Sequence, residues 1–161
     1  MHGPASKAQR DFAAIEGPSM KHVLAHIMRR KRAYAALPLF DRLRDGRLPA
    51  AARLGFMPGF AYLAGLDPQL ATPRRDDPRT MTPSGTISIG GVQAGIQCLA
   101  GPSGWHLLGR TPVRTYHPRR DPVFLVEPGD AVTFHAIDAR EWDALDRAAE
   151  AGEPVAELIS L

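Results

Sequence analysis

The stretch Leu54–Gly91, LGFMPGFAYLAGLDPQLATPRRDDPRTMTPSGTISIGG, constrains this chain most, because Pro58, Pro68, Pro73, Pro78 and Pro83 interrupt it at short intervals. No helix of ordinary length survives that spacing, since each proline removes an amide donor and clashes with the preceding turn. Yet Phe56, Phe60, Tyr62, Leu63, Leu66, Ile87 and Ile89 thread the same residues, which makes them too apolar for an exposed linker. Short strands joined by tight turns satisfy both demands, and glycine and proline continue to punctuate the chain in the same way further on. The prediction is a mainly β barrel or sandwich. GTISIGG, GWHLLGRTPV, PVFLV and DAVTFHAI read as strands, the last with Val132, Phe134 and Ala136 on one face.

The two ends read differently. Val23, Leu24, Ile27 and Met28 recur at helical spacing behind Ser19, a candidate N-cap, and Phe40 and Leu43 resume the pattern after Pro38. This predicts short helices at about 20–36 and 38–45, closed by Gly46. Near the C-terminus, DAREWDALDRAAEAG predicts a helix capped by Asp138, with Trp142, Leu145 and Ala149 on its buried stripe. The expected division is a helical N-terminal segment, 1–53, without an assigned role, and a β domain with a C-terminal helix, 54–161. The folded core is expected within 54–137.

Composition narrows the function classes. A chain of 161 residues fits one ordinary domain, and 44% hydrophobic with 23% charged residues suits a globular one. The net charge of +3 does not by itself call for nucleic acid. One cysteine, Cys98, allows no internal disulfide. The N-terminus lacks the apolar core of a signal peptide and no run approaches a membrane span, so a cytoplasmic location without membrane contact is expected.

Most isolated signals are better explained by structure than by chemistry. Arg29, Arg30, Lys31 and Arg32 form a basic run beside Tyr34 that suits phosphates, but such runs are more often solvated helix faces. His22 and His26 share a helical face without the acidic partner of a metalloprotease motif, and no metal site is expected. Cys98 reads as a small buried hydrophobe, and Trp105 as a core anchor. Asp76 and Asp77 are expected in surface ion pairs with the neighbouring arginines. The polar residues that turns can gather at one end of the β domain are Arg74, Arg75, Arg79, Ser84, Gln93, Arg110 and Thr111.

Several motifs, in order along the chain, carry a resemblance: Gly55-Phe56, Pro58-Gly59-Phe60 and Tyr62; Pro73-Arg74 and Pro78-Arg79; Pro83 and Gly85; Gln93, Gly95 and Ile96; Gly104-Trp105; Gly109-Arg110-Thr111-Pro112; and Pro128-Gly129-Asp130 with Val132 and Phe134. Over about 54–137 the chain resembles the family of allophanate hydrolase subunit 1, whose members are also known as 5-oxoprolinase subunits and as sporulation kinase inhibitors. The resemblance implies a cyclophilin-like β-barrel working beside a related second subunit. It implies ATP-dependent opening of a small amide or lactam, most often 5-oxoproline, with ATP as a co-substrate of the complex. On that basis Arg110 and Arg79 are the candidate catalytic residues, stabilising developing negative charge. Arg74, Gln93 and Thr111 are the candidate substrate-binding residues, and the base is expected from the partner. Residues 1–53 match nothing in the family pattern. The alternative function is a non-catalytic binding module such as a kinase inhibitor, favoured by Ala94 and Gly101, where the family usually carries hydroxyls.

Overall fold

The computed structural model describes residues 9–16, 48–53 and 57–159. The two predicted N-terminal helices, the 29–32 basic run, His22 and His26 lie outside the described residues. In chain order the strands are β1 (Gln9–Glu16), β2 (Leu48–Arg53), β3 (Phe60–Leu63), β4 (Arg79–Thr82), β5 (Thr86–Gly90), β6 (Gln93–Gln97), β7 (Gly101–Ser103), β8 (His106–Arg110), β9 (Ala131–Ala136) and β10 (Glu157–Ile159). Among the described residues a helix, α1 (Ala139–Ala151), precedes β10, and a 3-10 turn spans Pro68–Leu70.

Eight strands form one sheet in the order β10-β1-β8-β5-β6-β3-β2-β9, and β1 also pairs with β9. Every other neighbouring pair is antiparallel; β1 and β9 run parallel, with Phe12 level with Phe134. Strands β4 and β7 make a separate two-stranded ribbon. The mainly β prediction with a C-terminal helix therefore holds.

The core follows from strand periodicity. In β3, Ala61 and Leu63 are buried while Phe60 and Tyr62 are half-buried on the other face. Central strand β5 is buried along its whole length, with Ile87 and Ile89 in the apolar core beside Ile96, Leu108 and Val132. Phe12 and Phe134 meet edge to face at 6.1 Å, a favourable aromatic geometry.

Two expectations need correction. Gln9–Glu16 and Leu48–Arg53, both placed in a helical N-terminal segment, are strands of the main sheet, and Phe12 is fully buried in its core. The core thus reaches outside 54–137, and a boundary at residue 53 does not separate these strands from their partners. Ala50–Ala52 favour helix locally, but pairing with Ala61, Tyr62 and Leu63 of β3 overrides that preference. Second, PVFLV is no strand: it contributes only the Tyr116–Phe124 bridge, although Leu125 and Val126 are buried. Two hydrogen bonds make that bridge, His117 N donating to Val123 O and Leu125 N to Thr115 O. In β9, Val132 and Phe134 are buried on the face they were expected to share with Ala136, which is exposed as the strand ends.

The helix obeys its sequence signals. Asp138 Oδ1 accepts from the amides of Arg140 and Glu141 at 2.8 and 2.9 Å, and Gly152 ends the helix at φ 99°, where glycine is unstrained. Ala149 is buried, with Trp142 and Leu145 half-buried on the same stripe.

Candidate functional site

Strand β8 organises the candidate residues into two groups. Trp105 lies just before its first residue and Arg110 is its last.

At the first end, Trp105 is 6% exposed and packs edge to face on Phe60 and Tyr62, with centroids 6.0 and 6.1 Å away. Gly90 and Gly95 make room for the indole: a Cβ on Gly90 would lie 2.8 Å from its ring. The expectation of a core anchor agrees with this burial. The loop after Leu70 crosses above the ring and is pinned twice near its start. Thr72 and Gly91 exchange backbone hydrogen bonds, and His106 Nε2 donates to Pro73 O at 2.8 Å. Arg75 N then donates to Gly104 O at 2.8 Å.

This loop brings three arginines around Trp105. The Arg74 guanidinium lies over the ring, 5.7 Å from its centroid. Arg79, the first residue of β4, donates from Nη1 to Trp105 O at 2.9 Å and stands opposite Ser103. Arg75 Nε donates to the main-chain oxygen of Asp77 at 3.0 Å. The expected ion pairs with Asp76 and Asp77 are replaced here by contacts to main-chain oxygens and a ring. Burial, and then the charge of Arg75, push the Arg79 guanidinium below its ordinary pKa, because both oppose its positive charge. Gln93 belongs to the same end. It pairs with Gly90, next to the Gly91 that bridges to Thr72, and is exposed.

The second end is differently built. Arg110 Nε and Nη2 donate to Ser84 O at 3.4 and 3.2 Å, and its guanidinium lies 5.1 Å from the centroid of Trp142 on α1. Four residues further along the chain from each, beyond β8 and one turn down α1, Arg114 Nη2 meets Asp146 at 2.7 Å. Further along, His117 Nε2 and Arg119 Nη2 both donate to Glu150 O at 3.2 Å. That carbonyl marks the negative end of the helix dipole, and α1 carries no basic residue in its own last turn. Arg110, Arg114, His117 and Arg119 thus hold Trp142, Asp146 and Glu150 along one stripe. Thr111 is fully buried; its Oγ1 accepts from Val113 N at 3.1 Å and its amide donates to Gly85 O. Asp130 Oδ2 accepts from Glu127 N in the turn before β9.

Of the five expected site residues, Arg74, Arg79 and Gln93 therefore share one end of β8, and Arg110 and Thr111 share the other. Two contributors escaped the sequence reading. Ser103 became visible as a site residue only through its register with Arg79. Gln97, 1% exposed, donates from Nε2 to Thr82 O and Gly101 O at 3.3 and 3.2 Å, clamping the ribbon that carries Arg79 to β6. A polar residue at an inward position of β6 was its one available signal. Cys98 is buried beside Pro58 O, to which its thiol donates; burial pushes its pKa up, which makes it a poor nucleophile. Among the described residues no group of three His, Cys, Asp or Glu is placed to hold a metal ion. No helix among them is long and apolar enough to cross a membrane.

Residues 46–126 match the family model "Carboxyltransferase domain, subdomain C and D". The chain belongs to this family. It is the family of 5-oxoprolinase subunits and allophanate hydrolase subunit 1 that the motifs resemble. A 5-oxoprolinase subunit of Escherichia coli O157:H7 is 51% identical over 81 residues, which cover 50% of this chain and 37% of that protein. The chain thus spans well under half the length of that relative. A conserved uncharacterized protein of Pyrococcus horikoshii has a similar structure, with TM-score 0.70 and 33% identity, covering 83% of this chain and 61% of that one. The urea carboxylase of Kluyveromyces lactis shares the fold at TM-score 0.69 and 18% identity, covering 95% of this chain and 16% of that one.

Proposed function

We propose that this carboxyltransferase-family chain is a subunit of an ATP-dependent amide or lactam hydrolase, acting with a second subunit on 5-oxoproline or an allophanate-like substrate. The observation that carries the reading is the placement of Arg74 and Arg79 on Trp105, with Gln93 paired to the Gly90 that lies against its ring: two cations for an anionic group and one amide for a polar neighbour. Relatives in several bacteria are named as subunits of 5-oxoprolinase, which supports both the activity and the need for further subunits. In this reading ATP is consumed by the complex and the general base comes from the partner. Arg79 is the residue best placed to stabilise developing negative charge, since its half-buried position strengthens electrostatics. Arg110 and Thr111, spent on α1 and on a turn, act as supports. The sequence of pairings from β1 through β8, β5, β6, β3, β2 and β9 back to β1 favours the cyclophilin-like barrel.

Reconstitution with the second subunit, ATP and 5-oxoproline tests the proposal through phosphate release. Arg79→Lys, which keeps the charge and loses the planar fork, is expected to lower turnover at least tenfold with little change in melting temperature. A complex that assembles but releases no phosphate with any small lactam or carboxylated urea replaces this reading with the non-catalytic binding module.

A further inference from the structure

We propose that the arginines around Trp105 form a site for a phosphoryl group, a tetrahedral dianion, in preference to a planar carboxylate. The inference rests on the anion-site reading of Arg74 and Arg79 and extends it with Arg75 and Ser103.

The number of donors separates the two kinds of anion. A carboxylate offers two oxygens and one charge, which the fork of a single guanidinium satisfies. Here three guanidiniums occupy one short loop and the start of β4. Each is fixed by a ring or a main-chain oxygen: Arg74 by the Trp105 ring, Arg75 by Asp77 O and Arg79 by Trp105 O. None of these contacts neutralises a charge. The carboxylates of Asp76 and Asp77 are exposed in the same loop and make no salt bridge to them among the described residues, so the positive charge is left for an external group. Arg79 uses one of its five N–H groups on Trp105 O, leaving the others to donate.

Ser103 adds a fourth donor. It stands opposite Arg79 in the ribbon, and its Oγ accepts from Trp105 N at 3.2 Å, which leaves the hydroxyl proton for an acceptor. The set is donor-rich and holds excess positive charge. A phosphoryl group, with three terminal oxygens and about −1.5 to −2 charge near neutral pH, matches it. Fixing each guanidinium beforehand reduces the ordering cost of binding. The Gln97 clamp on Thr82 O and Gly101 O holds the ribbon in register.

Trp105 provides the readout. In a Trp142→Phe background Trp105 is the one remaining tryptophan of the chain, so its emission reports on this end of β8. Titrating the full chain with inorganic phosphate, sulfate, acetate and ATP at constant ionic strength is expected to give saturable changes with phosphate and sulfate. Acetate is expected to bind at least tenfold more weakly. Arg75→Ala and Arg79→Ala are each expected to weaken phosphate about tenfold, and Arg119→Ala, at the other end, to leave it unchanged. Tighter binding of ATP through the same arginines assigns the phosphoryl group to a nucleotide; phosphate equal to or tighter than ATP assigns it to a smaller ligand. Acetate binding as tightly as phosphate, or Arg75→Ala without effect, overturns the inference while leaving the hydrolase reading intact. Phosphate binding in a chain whose reconstituted complex has no activity has the opposite meaning, removing the hydrolase reading and keeping the site.

Discussion

The two ends of β8 carry the same pair of residue types, an arginine over a tryptophan, used in opposite ways. At one end Trp105 is the buried member, wedged against Gly90 and Gly95, and Arg74 lies over it at the surface. At the other, Arg110 is half-buried at the end of a strand and Trp142 belongs to an amphipathic helix laid over it. The arginines of the second end hold the helix: Arg114 pairs with the Asp146 carboxylate, Arg119 donates to Glu150 O, and Arg110 joins Trp142 to Ser84 O. Those around Trp105 meet its ring and main-chain oxygens of their own loop and of Trp105, and among the described residues none of them meets the helix. An identical local contact therefore marks a support in one place and a candidate site in the other. What separates them is that the second stack joins the sheet to α1, whereas the first joins it to a loop.

The contrast between the ends is most exposed at Trp105. Trp105→Ala is expected to cost about 3–5 kcal/mol, the range for deleting a large buried aromatic, read by chemical denaturation. A loss below about 1 kcal/mol would mean that the ring is no core anchor and that the two stacks are alike. Next comes Arg110→Ala, which removes a cation–π contact and the bonds to Ser84 O. A loss of about 1–3 kcal/mol is expected, with the helical circular dichroism signal melting before the sheet. Arg74→Ala, at the opposite stack, is expected to change stability by only about 0.5 kcal/mol while weakening anion binding; equal losses from the two arginine variants would erase the distinction between the ends.

The smallest effect tests the dryness of the Arg110 end, where Gln97, Thr86 and Arg110 are level across three strands and Cys98 follows Gln97. Because burial raises the folded thiol pKa, the unfolded chain ionises first. The contribution of Cys98 is complete below about pH 8.5, the ordinary thiol value, and declines as pH rises from there through the folded pKa. Cys98→Ala is expected to flatten the alkaline slope of stability relative to the parent. An unchanged slope would place water at the thiol.

Turn chemistry and period-two patterning were legible in the residues themselves. Gly85, at φ 74° with Thr111 O pressed where a Cβ would stand, is a turn that proline and glycine punctuation announces. The alternation of β9 and the Asp138 cap of α1 were equally local. So was the family, because its motifs are short and ordered. The strands β1 and β2 were not legible: Ala50–Ala52 favours helix on its own, and the partners that make it a strand lie in β3 and β9.

The candidate site divides along the same line. The sequence determined which residues were polar and near turns, and so nominated Arg74, Arg79, Gln93, Arg110 and Thr111 together. Only the tertiary structure decided that the length of β8 separates them into two groups, that α1 claims Arg110, and that Thr111 closes a turn. A residue's type fixes what bonds it can make, and its distance along a strand from the others fixes whether they make them to the same partner.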